Sequence, residues 1–400
     1  MGMTIAQRIL ASRVGREVKV GEIVEVDVDL AMSHDNAALV IRQFEQIGID
    51  RVWDPTRIVI ILDHRAPSES IKTSVGHKKI REFVQRQGIN NFFDIGYGIC
   101  HQVMIEEGFS APGKVIVGTD SHTTSHGAVG SFATGIGATE MAGVWATGRI
   151  WFRVPPTIRI DITGRFPYRV VAKDLILKII GMMGADGAQY KAVEFHGPLS
   201  DSLPLNERIV LSNLSMEMGA KVAIFKTEKV VPDQDAEYEQ RVAVDVSDLP
   251  PQIACPHQVD NVRPVAELSG TKIDQVVIGS CTNGRIEDLR EAWEVLKEGR
   301  VAKGVRLIVV PASRRIYLQA LSEGIIEGMV ERGAVVINPG CGPCLGAHQG
   351  LLAPGERCLA TTNRNFKGRM GSPEAEIYLG SPYTAAATAL TGRITDPSQL

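Results

Sequence analysis

Six short stretches of the chain are dominated by apolar residues: Arg57–Leu62, Lys114–Val117, Thr157–Ile162, Gln275–Ile278, Val305–Val310 and Ala334–Ile337. Each is rich in Val and Ile and bounded by Gly, Pro or Asp, which predicts β-strands. Runs with so few polar interruptions suit parallel strands covered on both faces. Between them, Ala38–Gln46, Val171–Met183 and Ile286–Leu296 carry apolar residues at helical spacing. The alternation predicts an α/β protein with several layered, mainly parallel sheets.

A chain of 400 residues exceeds one ordinary hydrophobic core. Two boundaries stand out. Arg153-Val-Pro-Pro-Thr157 reads as a linker because tandem prolines cannot continue a helix. A second lies within Asp233–Thr271, which is acidic, contains Pro250-Pro251 and has little hydrophobic periodicity. The expected units are 1–154, 155–268 and 269–400.

Composition narrows the function. A net charge of −3 argues against a nucleic-acid partner, which usually meets a basic face. No apolar run reaches the 18 residues of a membrane span, and the N-terminus lacks a secretory pattern, so a cytoplasmic location is expected. Six cysteines are too few for a disulfide framework in a chain of this length, and clustered ones point to metal or redox chemistry.

Three of them occupy distinctive settings. Cys281 follows a predicted strand in Val277-Ile-Gly-Ser-Cys-Thr-Asn-Gly284, and Cys341 and Cys344 follow another in Ile337-Asn-Pro-Gly-Cys-Gly-Pro-Cys344. Strand-end loops are where α/β proteins build sites, and the surrounding glycines let backbone approach a bulky ligand. Cys100, Cys255 and Cys358 read as small buried hydrophobes. Cys341-Gly-Pro-Cys344 also spells a dithiol redox motif, and zinc is a further candidate. No aromatic residue precedes the pair. Three thiolates better suit a [4Fe–4S] cluster with one iron not ligated by protein, which is free to act as a Lewis acid.

Four motifs then occur in order: Gly118-Thr-Asp-Ser-His-Thr123, Gly279-Ser-Cys-Thr-Asn283, Cys341-Gly-Pro-Cys344 and Asn363-Arg-Asn-Phe-Lys-Gly-Arg369. Together they resemble the aconitase family over nearly the whole chain. The resemblance implies a core of three α/β domains and hydro-lyase chemistry on a small hydroxy-di- or tricarboxylate. The chain stops soon after the last motif, as in the two-chain members, in which a separate small subunit carries the swivelling fourth domain. Isopropylmalate is the expected substrate, with homocitrate-type acids as the alternative. A third possibility, RNA binding as in some relatives, fits poorly with the acidic balance.

The resemblance also assigns residues. It implies that Cys281, Cys341 and Cys344 hold the cluster. Asp63-His64 matches a family Asp-His pair, and a carboxylate beside an imidazole fixes its tautomer and raises its basicity. His64 would protonate the departing hydroxyl. His101, Asp120, Ser121 and His122 match residues near the reacting hydroxyl. Asn213 and Glu217, four apart, share a helix face and match a family pair. Asn283 is expected near the cluster. Asn363, Arg364 and Arg369 are expected at the substrate, because a guanidinium grips a carboxylate bidentately. His34 is a looser match and a candidate substrate contact. His122 and His126 alone could suggest a zinc helix, but Thr-Thr-Ser between them disfavours one. Gly135-Ile-Gly-Ala-Thr-Glu140 lacks the third Gly of a dinucleotide fingerprint and reads as close helix packing.

Overall fold

The computed structural model describes residues 2–400. A short antiparallel ribbon pairs β1 (Ile23–Asp27) with β7 (Arg149–Arg153). Between them the chain lays down β2 (Leu30–Ser33), β3 (Ile58–Ile61), β4 (Phe92–Phe93), β5 (Val115–Gly118) and β6 (Phe132–Gly135). These form a five-stranded parallel sheet in the order β4-β3-β2-β5-β6. The second sheet is parallel, β10-β9-β8-β11, from β8 (Thr157–Thr163), β9 (Ala192–His196), β10 (Val222–Phe225) and β11 (Gln240–Asp245).

The third sheet has seven strands: β12 (Gln252–Ala254), β13 (Val262–Pro264), β14 (Gln275–Gly279), β15 (Arg306–Val310), β16 (Ala334–Val336), β17 (Arg357–Ala360) and β18 (Glu376–Leu379). Their order is β13-β12-β18-β17-β14-β15-β16, parallel from β18 to β16 and antiparallel at β12 and β13. Among the described residues, no helix is long and apolar enough to cross a membrane.

All six stretches read as strands lie in strands, and the three helical stretches appear as Ala37–Ile47, Ala172–Met183 and Ile286–Leu296. The segment Asp233–Thr271, despite its little hydrophobic periodicity, contributes β11, β12 and β13. β11 lies at a sheet edge and is mostly exposed, so it lacks the apolar run that marks a covered strand.

Strand order fixes the position of the site. In the first sheet the chain leaves β2 towards β3 and β4, then returns to the other side as β5 and β6. In the third it leaves β14 towards β15 and β16, then returns as β17 and β18. Each reversal opens a crevice at the strand carboxyl ends, where ligands bind in open α/β sheets. One continuous core joins the two: Met32, Val59, Ile61 and Ile116 of the first sheet, Ile99, Cys100 and Met104 of the helix region beside it, and Val276, Ile278 and Val309 of the third.

The second sheet supports the loop after β5. The turns Ser121–Val129 rest on β10, and a Cβ added at Gly127 would lie 1.8 Å from the Ala223 carbonyl oxygen. The clash is with backbone, which cannot swing away. Gly127→Ala is therefore expected to cost about 1–3 kcal/mol, read as a lower thermal unfolding temperature.

Candidate active site

Each crevice supplies its own kind of chemistry. The first sheet delivers His34 after β2, Asp63 and His64 after β3, and Asp120, Ser121 and His122 after β5. The third delivers Cys281 after β14, Cys341 and Cys344 after β16, and Asn363 and Arg364 after β17. One cavity of about 410 Å³ lies between them, lined by His34, His64, His101, Asp120, Ser121 and His122 from one side and by Cys281, Cys341, Cys344, Asn363, Arg364 and Arg369 from the other.

Asp120 is the hub of the titratable groups. It caps the turns that follow by accepting from the His122 amide at 2.7 Å. Its Oδ1 meets His101 Nε2 at 2.9 Å and its Oδ2 meets His64 Nε2 at 3.3 Å. Burial alone would raise this carboxyl, but bonds from His101, His122 and His64 hold it well below the usual carboxylate range.

His64 is fixed on its other edge by Asp63, Nδ1 to Oδ1 at 2.6 Å, while Asp63 Oδ2 accepts the Cys100 amide at 2.7 Å. Its ring stacks on His34 with centroids 4.0 Å apart. Burial opposes the charged imidazolium, but the negative charge of Asp63 and the neighbouring Cys341 and Asp120 push its pKa well above the ordinary value. Burial and the charge of His64 lower that of His34. The stacked pair therefore holds one readily protonated ring and one that stays neutral.

A second chain of contacts runs through Glu217. Its Oε1 meets His122 Nε2 at 2.9 Å and accepts from Arg364 Nε at 2.8 Å, and Arg364 Nη2 donates to Ser121 Oγ at 3.0 Å. Burial would raise Glu217, and its His122 and Arg364 partners lower it instead.

All six cysteines are buried and free of disulfides. Asn363 spans two of them, with Nδ2 3.3 Å from Cys281 Sγ and Oδ1 3.5 Å from Cys344 Sγ. Asn213 Nδ2 lies 3.5 Å from Cys281 Sγ and 2.9 Å from Ser125 Oγ. Burial pushes the Cys281 thiol up to about 11. Cys344 moves the other way: its burial is outweighed by the charges of Arg369 and His122 together with bonds from Ser280 and Arg369. Backbone is close here too: Gly279 has φ 134°, and a Cβ there would lie 2.0 Å from the Val310 carbonyl oxygen.

Most expected residues line the cavity; four stand one step back. Asp63 reaches it through His64, Glu217 through His122 and Arg364, and Asn213 through Cys281. Asn283 turns away, donating to Asp288 Oδ1 at 2.8 Å. Sequence reasoning missed Asp35 and Lys173. Asp35 sits in the polar run Ser33-His-Asp-Asn36 that ends β2, a visible signal. Lys173, fully buried, donates to the carbonyls of Thr361 at 2.7 Å and Thr362 at 2.6 Å, and burial brings its pKa down to about 7. It sits in an otherwise amphipathic helix and carries no sequence signal of its role.

The aconitase family (aconitate hydratase) profile matches residues 7–231 and 262–392. The chain belongs to the aconitase family. Among its family relatives, a probable 3-isopropylmalate dehydratase large subunit of Methanothermobacter thermautotrophicus is 52% identical over the full length of both chains. A probable methanogen homoaconitase large subunit of the same organism is 50% identical, covering 99% of this chain and 98% of the relative. The 3-isopropylmalate dehydratase large subunit of Clostridium botulinum is 48% identical over 99% of each chain. The solved aconitase X of Thermococcus kodakaraensis aligns with a TM-score of 0.54 over 93% of each chain at 12% identity, a likeness of fold.

Behind the cysteines lies a buried charged layer. Arg285 donates to the Thr282 and Cys281 carbonyls at 2.6 and 2.8 Å. Nearby, burial pushes Glu207 up to about 7, against a bond from the Ala172 amide and helped by Asp288. This value lies above the ordinary 4.5. Its stabilising contribution is therefore full below about pH 4.5 and lost as pH rises through about 7. Glu207→Gln is expected to raise the unfolding temperature by a few degrees near pH 8 relative to the parent, and by less near pH 5. Thermal unfolding at the two pH values checks this.

Proposed function

We propose that this chain is the large subunit of a cytoplasmic two-chain hydro-lyase that interconverts 2-isopropylmalate and 3-isopropylmalate by removing and re-adding water. The observation that carries the reading is one cavity lined by three free cysteines, a histidine–carboxylate network and the arginines Arg65, Arg364 and Arg369. Relatives named 3-isopropylmalate dehydratase large subunit, 52% and 48% identical to this chain, support it. The three-unit division 1–154, 155–268 and 269–400 belongs to the same reading, with β12 and β13 crossing from the second unit into the third sheet.

The donor set fits a [4Fe–4S] cluster. Cys281, Cys341 and Cys344 would hold it, with side-chain amides of Asn213 and Asn363 and the guanidinium of Arg369 near the sulfurs. When bound, the cluster's iron free of protein ligands supplies a Lewis acid for the substrate hydroxyl. Arg364 and Arg369 bind the substrate carboxylates, and Arg364 exchanges Glu217 and Ser121 for one of them. His64, held charged by Asp63 and Asp120, gives its proton to the leaving hydroxyl oxygen, which takes the C–O electron pair and departs as water. The C–H pair becomes the double bond, and that proton passes to a base on the small subunit. Rehydration in the opposite sense returns a proton to carbon and leaves His64 protonated. His101 and His122 keep Asp120 ionised throughout.

A second reading, a homoaconitase large subunit, is favoured by the 50% identity of that relative, close to the 52% of the first. The kcat/KM of the assembled enzyme for isopropylmalate against homoaconitate decides between them.

Three further outcomes are expected. Cys344→Ser abolishes the visible absorbance of the reconstituted chain, and an unchanged spectrum would remove the cysteine from the ligand set. Arg364→Lys keeps the spectrum but raises KM about 10- to 100-fold, since an ammonium cannot reproduce the planar fork; steady-state kinetics with the small subunit present checks this. The chain alone is expected to be nearly inactive, and full turnover without a partner would overturn the two-chain reading.

A further inference from the structure

His64 is gripped on every side by groups that can themselves rotate: Asp63, Asp120 and the stacked ring of His34. What holds its backbone is different. Asp35, at the carboxyl end of the neighbouring strand β2, turns its carboxylate under the Asp63–Arg65 turn. Its Oδ2 accepts from the amides of Asp63 at 3.1 Å and His64 at 2.8 Å, and its Oδ1 accepts from the Arg65 amide at 3.2 Å. The Oδ1 also receives His77 Nε2 at 2.7 Å, from the helix Ile71–Gln87. Both side chains are nearly inaccessible, 6% for Asp35 and 4% for His77.

We propose that Asp35, anchored by His77, is a positioning residue that sets where the His64 imidazole stands; this rests on the proton-donor role given to His64 above. Three successive amides converging on one carboxylate form a rigid anion nest. With four donors in place, the acceptor capacity of a carboxylate is filled, so Asp35 has none to spare for the substrate although it borders the cavity. The clamp joins the ends of β2 and β3 to a helix outside the site. It fixes the backbone from which Asp63 reaches the Cys100 amide and His64 reaches Asp120. A misplacement of about 1 Å at a reacting group costs on the order of 100-fold in rate, and the clamp guards against an error of that size.

The test is a double-mutant cycle in the assembled, cluster-loaded enzyme, using Asp35→Asn, His64→Asn and the pair. An Asn side chain presents an amide where three N–H donors converge, so the turn must shift. The expected result is a fall in kcat of about 100-fold for Asp35→Asn, with KM changed less than about threefold and the visible spectrum retained. Added to His64→Asn, the same change should lower kcat less than about threefold further, because the residue it positions is already gone. A loss equally large in both backgrounds, or no loss in the parent, overturns the proposal while leaving the role of His64 standing. Full activity of His64→Asn overturns both together. If Asp35→Asn does not fold or load, His77→Leu decides. It keeps the carboxylate and removes one bond, and it should lower kcat about 5- to 10-fold only when His64 is present. An equal effect in both backgrounds overturns the proposal.

Discussion

A carboxylate sealed inside a protein stays charged only if donors surround it. Asp120 meets that condition with three histidines drawn from three different segments: His64 after β3, His101 in the helix Cys100–Glu106 and His122 on the turn that Asp120 itself caps. Much of the site's geometry follows from satisfying this one group. His122 turns its far nitrogen to Glu217, Glu217 holds Arg364, and Arg364 reaches back to Ser121. Residues from all three of the larger sheet regions are thereby tied into one hydrogen-bonded network.

The fold was readable where physics leaves a simple periodic trace. β3, β5, β14 and β15 are covered strands whose Val and Ile runs announce them, while β8 and the edge strand β16 keep enough Val and Ile to be read despite partly exposed positions. Others were hidden by their contents. β9 carries Glu194 and His196, both buried, because Glu194 accepts from the Ile5 amide and from His196. Two ionisable residues in five erase the apolar pattern, although both find partners once folded. β17 and β18 likewise begin with Arg357 and Glu376, which pair with each other at the start of these two interior strands.

The site divides along the same line. Residues in compact motifs, such as Asp120 to His122 or Cys341 to Cys344, could be nominated from sequence because neighbours in the chain share a task. Asn363 and Arg364 came from a motif whose polar density is out of place after a buried strand. Asn283 shows the limit: two positions from Cys281, its amide answers to Asp288 instead. Lys173 shows the reverse, lying far from the cysteine motifs in sequence while holding the backbone that leads into Asn363.

The resting state of Arg364 has a bearing on how tightly such a cavity can grip. Its guanidinium is never bare; Glu217 and Ser121 already occupy it. An arriving anion does not gain a free cation but trades places with a resident one, so the net attraction is the small difference between two similar pairings. A pocket organised this way recognises its guest by shape and number of carboxylates rather than by raw charge, and lets the product go as readily as it took the substrate in.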